Sequence, residues 1–427
     1  MMRNGQLWVA AAATLTFAIT QGHLADACGG CVVPPGENTV VTGHRMILSV
    51  SMQQTTLYDQ IEYAGNPESF AWFLPIQGQV EIGLSSDAMF AYLGDESQVT
   101  VLPPWVPCNS GTDEALASSS DGKSGSVNIA PEEEVNVIAQ EVVGPYETVQ
   151  LEAGSPDALI NWLTQHGYAV PADVEPVIAG YQQEGFGFLA MKLVPGEGVN
   201  SMRPVRVTSP GGGLTLPLRM VAAGTGAVTP VTLYVVSEGR YEVAGRPNLQ
   251  VNPALLVWNW DEGISNYRIL RDQMVDNTDG MGFLTESAGA FSKSSLVNRV
   301  TQTIEINPGT TGWGNPESGA TELEDATADL ETLFAGQNEK DIWLTRLYGR
   351  LSRKALETDL TLSASADQDE VDRYLQATIG VGTYPCRKGT MLACAVNSNT
   401  SSPQAIWALG AAIAALCARR GKSSRPR

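Results

Sequence analysis

The chain has 427 residues, with 46 acidic against 26 basic side chains and a formal net charge of −20. Such a surface repels nucleic acid and anionic lipid headgroups at long range, which sets nucleic acid aside as a partner. Three histidines, one of them His23 close to the N-terminus, exclude a three-histidine zinc site within one mature chain.

Arg3, the apolar run 7–19 and Ala25-Asp26-Ala27 have the three parts of a secretory signal peptide over 1–27, with cleavage between Ala27 and Cys28. The apolar run is too short to span a bilayer comfortably. Beyond the leader, Gly and Pro alternate with short runs of Val, Leu, Ile, Thr and Tyr, so 28–246 reads as β-rich. Strands are predicted at 39–51 and 56–63; in the second, Asp59 interrupts the apolar face of Leu57, Ile61 and Tyr63. The run 70–76 is apolar without alternation, as in a strand covered on both faces, and Pro75 ends it or places it at an edge. A short helix over 86–93 stops at Gly94, and 109–128, rich in Ser, Gly and Asp, reads as a loop.

Ser155 as N-cap, Pro156 at the first helical position, Asp157 in the first turn and Gly167 past the end define a helix. Its Leu159, Trp162 and Leu163 share one face, which predicts packing on a sheet. Strands at 186–193, 205–208, 216–222 and 231–236 come after it without long intervening helices, which favours antiparallel connections. From 247 to 385 the pattern becomes α+β, either a second part or a continuation of the first. It has an aromatic run at 255–260, a helix at 267–274 and an irregular stretch at 292–317. An acidic helix at 321–334 and strands at 342–351 and 360–363 complete it.

Residues 386–404 read as a stalk, and 405–427 as a hydrophobic anchor with a basic tail. The apolar span from Ala405 to Ala418 runs straight into Arg419 and Arg420, with three more cations beyond. At 1.5 Å per residue it covers roughly 21 Å of the roughly 30 Å hydrocarbon core, a marginal span. The cations fit the positive-inside rule and leave the body outside; a buried terminal helix is the alternative.

Six cysteines are present, and Cys417 lies in the anchor. The other five, Cys28, Cys31, Cys108, Cys386 and Cys394, enter an oxidising compartment where disulfides are expected, and five cannot all pair. Cys28-Gly29-Gly30-Cys31 has redox-pair spacing but runs into Pro34-Pro35 rather than a helix, which favours a structural disulfide. Cys108 is a further partner, Cys386 and Cys394 can close a small loop, and lipidation of Cys28 or Cys394 is the other reading.

His166 ends the Ser155-capped helix, where a cation meets the negative dipole end, and His44 opens a strand; neither carries a catalytic motif. No Gly-x-Ser-x-Gly elbow is present. Gly211-Gly212-Gly213 lacks the succeeding Lys-Ser/Thr of a phosphate cradle and reads as a turn. Asp276-Asn277-Thr278-Asp279-Gly280 and Asp367-Gln368-Asp369-Glu370 offer oxygen ligands for calcium, but neither completes an EF-hand loop. No catalytic, cofactor or metal residue is assigned.

Several segments together resemble a bacterial family known only as domain of unknown function 2330. They are Phe70-Ala71-Trp72-Phe73-Leu74-Pro75; Gly144-Pro145-Tyr146-Glu147 with Asp157-Ala158-Leu159 and Trp162-Leu163; His166-Gly167-Tyr168; and Leu344-Thr345-Arg346-Leu347-Tyr348. The likeness runs from Cys28 to about Ser363 and implies an envelope protein with no established reaction. The tail, with Cys394 ahead of an Ala-rich span and Arg419-Arg420, resembles the C-terminal sorting signals of myxobacterial surface proteins. It departs from their paired cysteines, since Ala393 and Ala395 flank Cys394. The resemblance implies that the apolar span is removed and the body left at the surface.

The expectation is an α+β fold, mainly antiparallel, with a few short packed helices and one C-terminal hydrophobic helix. It belongs to an exported, envelope-anchored protein with a structural or interaction role, membrane contact through its C-terminal segment, and envelope or surface proteins as partners. An extracytoplasmic hydrolase would instead need a cleft joining Ser or Asp to His44 or His166. A calcium-stabilised adhesion module would need clustered carboxylates.

Overall fold

The computed structural model describes residues 31–32, 40–64, 71–105 and 136–383, apart from 153, 169, 171–173, 196–200, 212, 223–227 and 315–318. In chain order come β1 (Cys31–Val32), β2 (Val40–Val50), β3 (Gln54–Ala64), β4 (Ala71–Ile76), β5 (Glu81–Leu84), α1 (Asp87–Ser97) and β6 (Thr100–Leu102). Next are β7 (Asn136–Val143), β8 (Tyr146–Glu152), α2 (Pro156–Gln165), α3 (Glu175–Gln183), β9 (Gly187–Leu193), β10 (Val205–Pro210), β11 (Thr215–Leu216) and α4 (Arg219–Ala222). The strands β12 (Val228–Glu238), β13 (Tyr241–Val243), β14 (Asn248–Leu249), β15 (Val257–Asn259) and β16 (Ile264–Ser265) lead to α5 (Tyr267–Asp276) and β17 (Phe283–Ala290). The last are α6 (Lys293–Ile306), α7 (Glu322–Leu333), β18 (Ile342–Ser352), β19 (Leu360–Ala364), β20 (Tyr374–Gln376) and β21 (Ile379–Val381). These elements belong to one packed unit ending at Gly382.

Two sheets dominate this α+β unit. One has five strands in the order β1-β4-β9-β8-β7, antiparallel throughout. The other has eight, β14-β17-β18-β12-β2-β3-β10-β5, and is mixed. Its pairs β2/β12 and β14/β17 are parallel, and the first of them corrects the antiparallel connection favoured for the strand at 231–236. Strands from both sides of position 246 share this sheet.

The sheets stack with helices outside them, because side chains alternate along each strand and both faces must be covered. Ile47, Tyr58, Tyr234 and Val236 on one face of the eight-stranded sheet pack against α1, α6 and α7. Its other face meets the five-stranded sheet, where Val205 and Val207 touch Trp72, Leu74, Leu189 and Met191. Further along, the same face is covered by β11, β19 and β13 through Leu216, Leu360 and Val243. The outer face of the five-stranded sheet carries α2 and α3.

Local rules place several elements. Ser155 accepts from Ala158 N–H at 3.2 Å to cap α2, and Leu159 and Leu163 are buried against the sheet, each stabilising by about 1.5–3 kcal/mol. The six residues of β4 are all buried, and Pro75 sits beyond the two residues that β1 pairs, at Trp72 and Ala71. Thr321 and Glu324 form a reciprocal capping box at the start of α7.

Other expectations are corrected. The strand expected at 216–222 is two residues of β11 and then α4, since Pro217 cannot donate to a ladder. Asp359 accepts from Arg219 N–H at the start of that helix. The irregular stretch at 292–317 contains α6, whose Ser, Thr and Asn residues mask a buried stripe of Leu296, Val300 and Ile304 four apart. Helix α1 continues through Gly94 to Ser97, since Met89, Phe90 and Leu93 on its buried face outweigh the roughly 1 kcal/mol cost of a helical glycine. The C-terminal hydrophobic helix lies outside the described residues.

Candidate functional site

The face of the eight-stranded sheet that meets the second sheet is built from cross-strand rows of β2, β3 and β10. Register sets Met46, Asp59 and Val205 in one row, Leu48, Leu57 and Val207 in the next, and Val50, Thr55 and Ser209 in the third. Above the second and third rows the covering elements part. Leu74, Pro75 and Ile76 of β4 stand on one side, and Thr215, Leu216 and Pro217 on the other, enclosing a cleft of about 260 Å³. Its lining contains no ionisable side chain. Thr55 is 6% exposed, and its hydroxyl has no hydrogen-bond partner. Such a buried, unsatisfied hydroxyl costs about 1–3 kcal/mol. The hydroxyls of Thr229, Thr285 and Ser294 are also buried without a partner, but none of them lines the cleft.

A smaller cavity of about 30 Å³ adjoins the cleft through Leu57, Leu74, Leu216 and Pro217. His44 and Asp59 line it, with Nδ1 3.0 Å from Oδ1 and side chains 2% and 7% exposed. This pair explains why Asp59 interrupts the apolar face of its strand. A carboxylate oriented on an imidazole is two thirds of a hydrolytic triad, but the residues lining this cavity include no Ser, Thr or Cys to serve as nucleophile. The space suffices for a water.

His166 caps the C-terminus of α2. Its ring stacks on Trp162 at 3.8 Å, and its Nδ1 lies 2.7 Å from the Trp162 carbonyl oxygen. Neither the cleft nor the smaller cavity includes it.

The opposite face of the sheet holds charge inside the fold. Asp329 of α7, fully buried, accepts from Arg206 Nη1 at 3.0 Å, Ser85 Oγ at 2.5 Å and Trp313 Nε1 at 3.0 Å. Burial pushes the Asp329 carboxyl above the usual carboxylate range, while Arg206 and the hydroxyl and indole donors pull it down. Arg203 reaches Asp325 and the carbonyl oxygens of Ser85 and Gly314 from the same side. Glu286, 4% exposed, accepts from Tyr267, Arg271 and Arg346. Burial and the adjacent Glu286 push the Tyr267 phenol far above its usual range.

Glu322 at the start of α7 accepts from the backbone N–H groups of Gly309 and Thr311 and from the Thr311 hydroxyl. Burial raises its pKa, but these donors prevail and hold it below the usual carboxylate value. The anchoring of 309–311 is therefore fully present above the usual value and is lost as pH falls through the depressed one. Amide exchange at Gly309 and Thr311 is expected to accelerate on acidification through that window, and Glu322→Gln to accelerate it already at pH 7. Protection unchanged by either would contradict this role.

Neither acidic run gathers ligands for calcium. Asp276 pairs with Arg350 at 2.9 Å, and Thr278 bonds the Val275 carbonyl oxygen and Gly282 N–H. Asp367 pairs with Arg240 at 3.0 Å and accepts from Asp369 N–H, and Gln368 bridges both Arg240 backbone groups. Among the described residues no group of three or more His, Cys, Asp and Glu side chains could hold a metal.

Cys31 contributes backbone to β1 opposite Trp72; its side chain, and Cys28, Cys108, Cys386 and Cys394, lie outside the described residues. So do the 27/28 cleavage position (Ala27, Cys28), the 109–128 loop, the stalk and the anchor with Ala405, Ala418, Arg419 and Arg420. Among the described residues no helix is long and apolar enough to cross a membrane. The cleft was not visible in the sequence, where Thr55 and Ser209 fall just outside the strands expected at 56–63 and 205–208, whereas the structure includes both in β3 and β10. The only local hint was Pro210 and Pro217 bracketing the Gly run at 211–213.

Residues 23–300, about two thirds of the chain, match a family described as an uncharacterized protein conserved in bacteria (DUF2330). The cleft lies wholly inside the matched segment. No curated protein and no solved structure matches the chain.

Proposed function

The chain belongs to the uncharacterized bacterial DUF2330 family, and from that premise we propose that it is an exported, envelope-anchored binding protein whose cleft between the two sheets receives a ligand. The observation that carries the reading is the cleft itself, about 260 Å³, lined by apolar side chains with Gln77, Ser209 and Thr215 among them and by no ionisable group. A concave site lined by apolar side chains with a few polar groups among them is the arrangement that takes up a small molecule.

The arrangement favours binding over bond-making. Asp329 and Glu286 are each held by arginine on the far face of the eight-stranded sheet or at its β17/β18 end, and His44 is held by Asp59 beside a cavity with no lining nucleophile. Export and anchoring rest on the leader over 1–27 and on the apolar span with its cations over 405–427. The strongly anionic composition suits a body held away from an anionic membrane surface.

Labelling intact cells with a membrane-impermeant amine reagent tests the location. The body is expected to take up label, as would any exported chain with exposed lysines. Recovery of the chain unlabelled from the cytosol, with residues 1–27 still attached, would overturn the proposal.

A further inference from the structure

We infer that one face of the small sheet β16-β15-β21, at the point where the tail leaves the body, seats on a zwitterionic membrane surface, a step that rests on the anchoring part of the proposed function. Register defines the face. Ile264 pairs with Asn259 and Asn259 with Val381, and Val257 pairs with Ile379 in the next row, so these side chains share one side of the sheet. Ile264, Ile379 and Val381 are all exposed. The opposite side is turned to the body, where Trp258 packs with Leu256, Tyr267 and Ala377, and Pro104 lies against Gly380. Trp105, the next residue, is 81% exposed beside the same edge strand.

A single exposed apolar side chain needs no explanation, but a gathered set marks a contact surface. Among the described residues, seven of the twelve exposed large hydrophobic side chains fall in 102–105, 255–264 and 374–381. The one polar side chain within the face is already engaged, since Asn259 Oδ1 accepts from the N–H groups of Asp261 and Glu262. The face therefore offers apolar contact with no polar group to desolvate.

The course of the chain says what covers it. Strand β21 ends at Val381, and the 23 residues 382–404 separate it from the apolar span that begins at Ala405. An extended chain of that length reaches about 80 Å at most and a flexible coil about 25 Å. The anchor thus holds the bilayer at high effective concentration around this face. Tryptophan suits the headgroup boundary, where its ring is buried and its N–H stays wet. Asp261 and Glu262, exposed at the β15/β16 turn, and the negative charge of the body oppose anionic headgroups, which leaves zwitterionic lipid as the favoured surface.

The test uses the full-length protein in phosphatidylcholine nanodiscs, one chain per disc, with a lipid that carries a photoactivatable diazirine just below its headgroup. Labelled residues are read by peptide mass spectrometry. Met52, 97% exposed between β2 and β3, and Ile306, 74% exposed at the end of α6, are the controls, since random collision with lipid would mark them first.

Trp105 and the peptides covering 257–265 and 379–381 are expected to take up severalfold more label than those carrying Met52 or Ile306. Ile379→Asp combined with Val381→Asp should cut labelling of the face about 10-fold while the span 405–418 stays labelled. Ile264→Asp, on the other edge strand, serves should that double variant fail to fold. Replacing half of the lipid with phosphatidylglycerol should lower labelling of the face, and an increase would overturn the preference for zwitterionic headgroups. A labelled span with a face marked no more than the controls would overturn the docking while the anchor stands. An unlabelled span would overturn the anchor and the docking with it. A face unmarked in single-chain discs, together with dimers in detergent that the double variant abolishes, would assign the face to a second copy of the chain instead.

Discussion

Replacing Asp329 with alanine is expected to lower the stability of the unit by about 3–5 kcal/mol, a large part of the roughly 5–15 kcal/mol that holds a folded domain. The carboxylate is fully buried and collects Arg206, Ser85 and Trp313, from β10, the turn before α1 and the segment before α7. Without it the guanidinium, itself only 13% exposed, keeps its charge in a low-dielectric site with no counter-ion, and the indole N–H loses its acceptor. The cost comes from what is left behind rather than from the pair's own worth, so the double replacement Arg206→Met with Asp329→Leu should be milder than the sum of its singles. Urea unfolding of the wild type, Asp329→Ala, the two singles and the double measures this. A single-variant loss below about 1 kcal/mol would mean that water enters the site and the hub is not sealed.

Glu286→Ala is expected to cost about 3 kcal/mol for a related reason. Strand β17 changes register against β18 between Thr285 and Ser287, so Glu286 is the extra residue of a β-bulge. The bulge turns its side chain toward Arg271, Arg346 and the Tyr267 hydroxyl, tying α5 to the sheet. After the replacement Arg271 retains Asp272 at 2.9 Å, whereas Arg346 loses its carboxylate and keeps only its approach to the Tyr234 ring. The loss should therefore shrink markedly in an Arg346→Met background and much less in an Arg271→Met one. Equal losses in all three backgrounds, by urea unfolding, would show that the carboxylate acts through something other than Arg346.

Elements governed by neighbouring residues were legible before the structure. Ser155 and Pro156 start α2 where capping chemistry places it, and the acidic helix expected at 321–334 is α7, with Leu330 and Leu333 buried. Asp59 and Pro75 were legible as irregularities without a reason. The reasons are His44 across the β2/β3 pair and the shortness of β1 beside β4. Helix α6 was hidden because its buried stripe overrides residues of low helix propensity. The cleft was hidden for a deeper reason. Its floor exists only once Thr55 pairs across strands with Ser209, and its roof once β4 and β11 lie over the same sheet, arrangements that no local pattern encodes. Asp329 likewise looked like one more acid on a solvated helix, because its partner Arg206 is 123 residues away.

Native mass spectrometry of the full-length protein, released from its own envelope without denaturation, tests the ligand-bearing cleft most directly. The wild type is predicted to carry a noncovalent low-mass adduct that a folded Thr215→Trp variant lacks. Identical spectra for the two proteins, both at the bare polypeptide mass or both with the adduct, would contradict it.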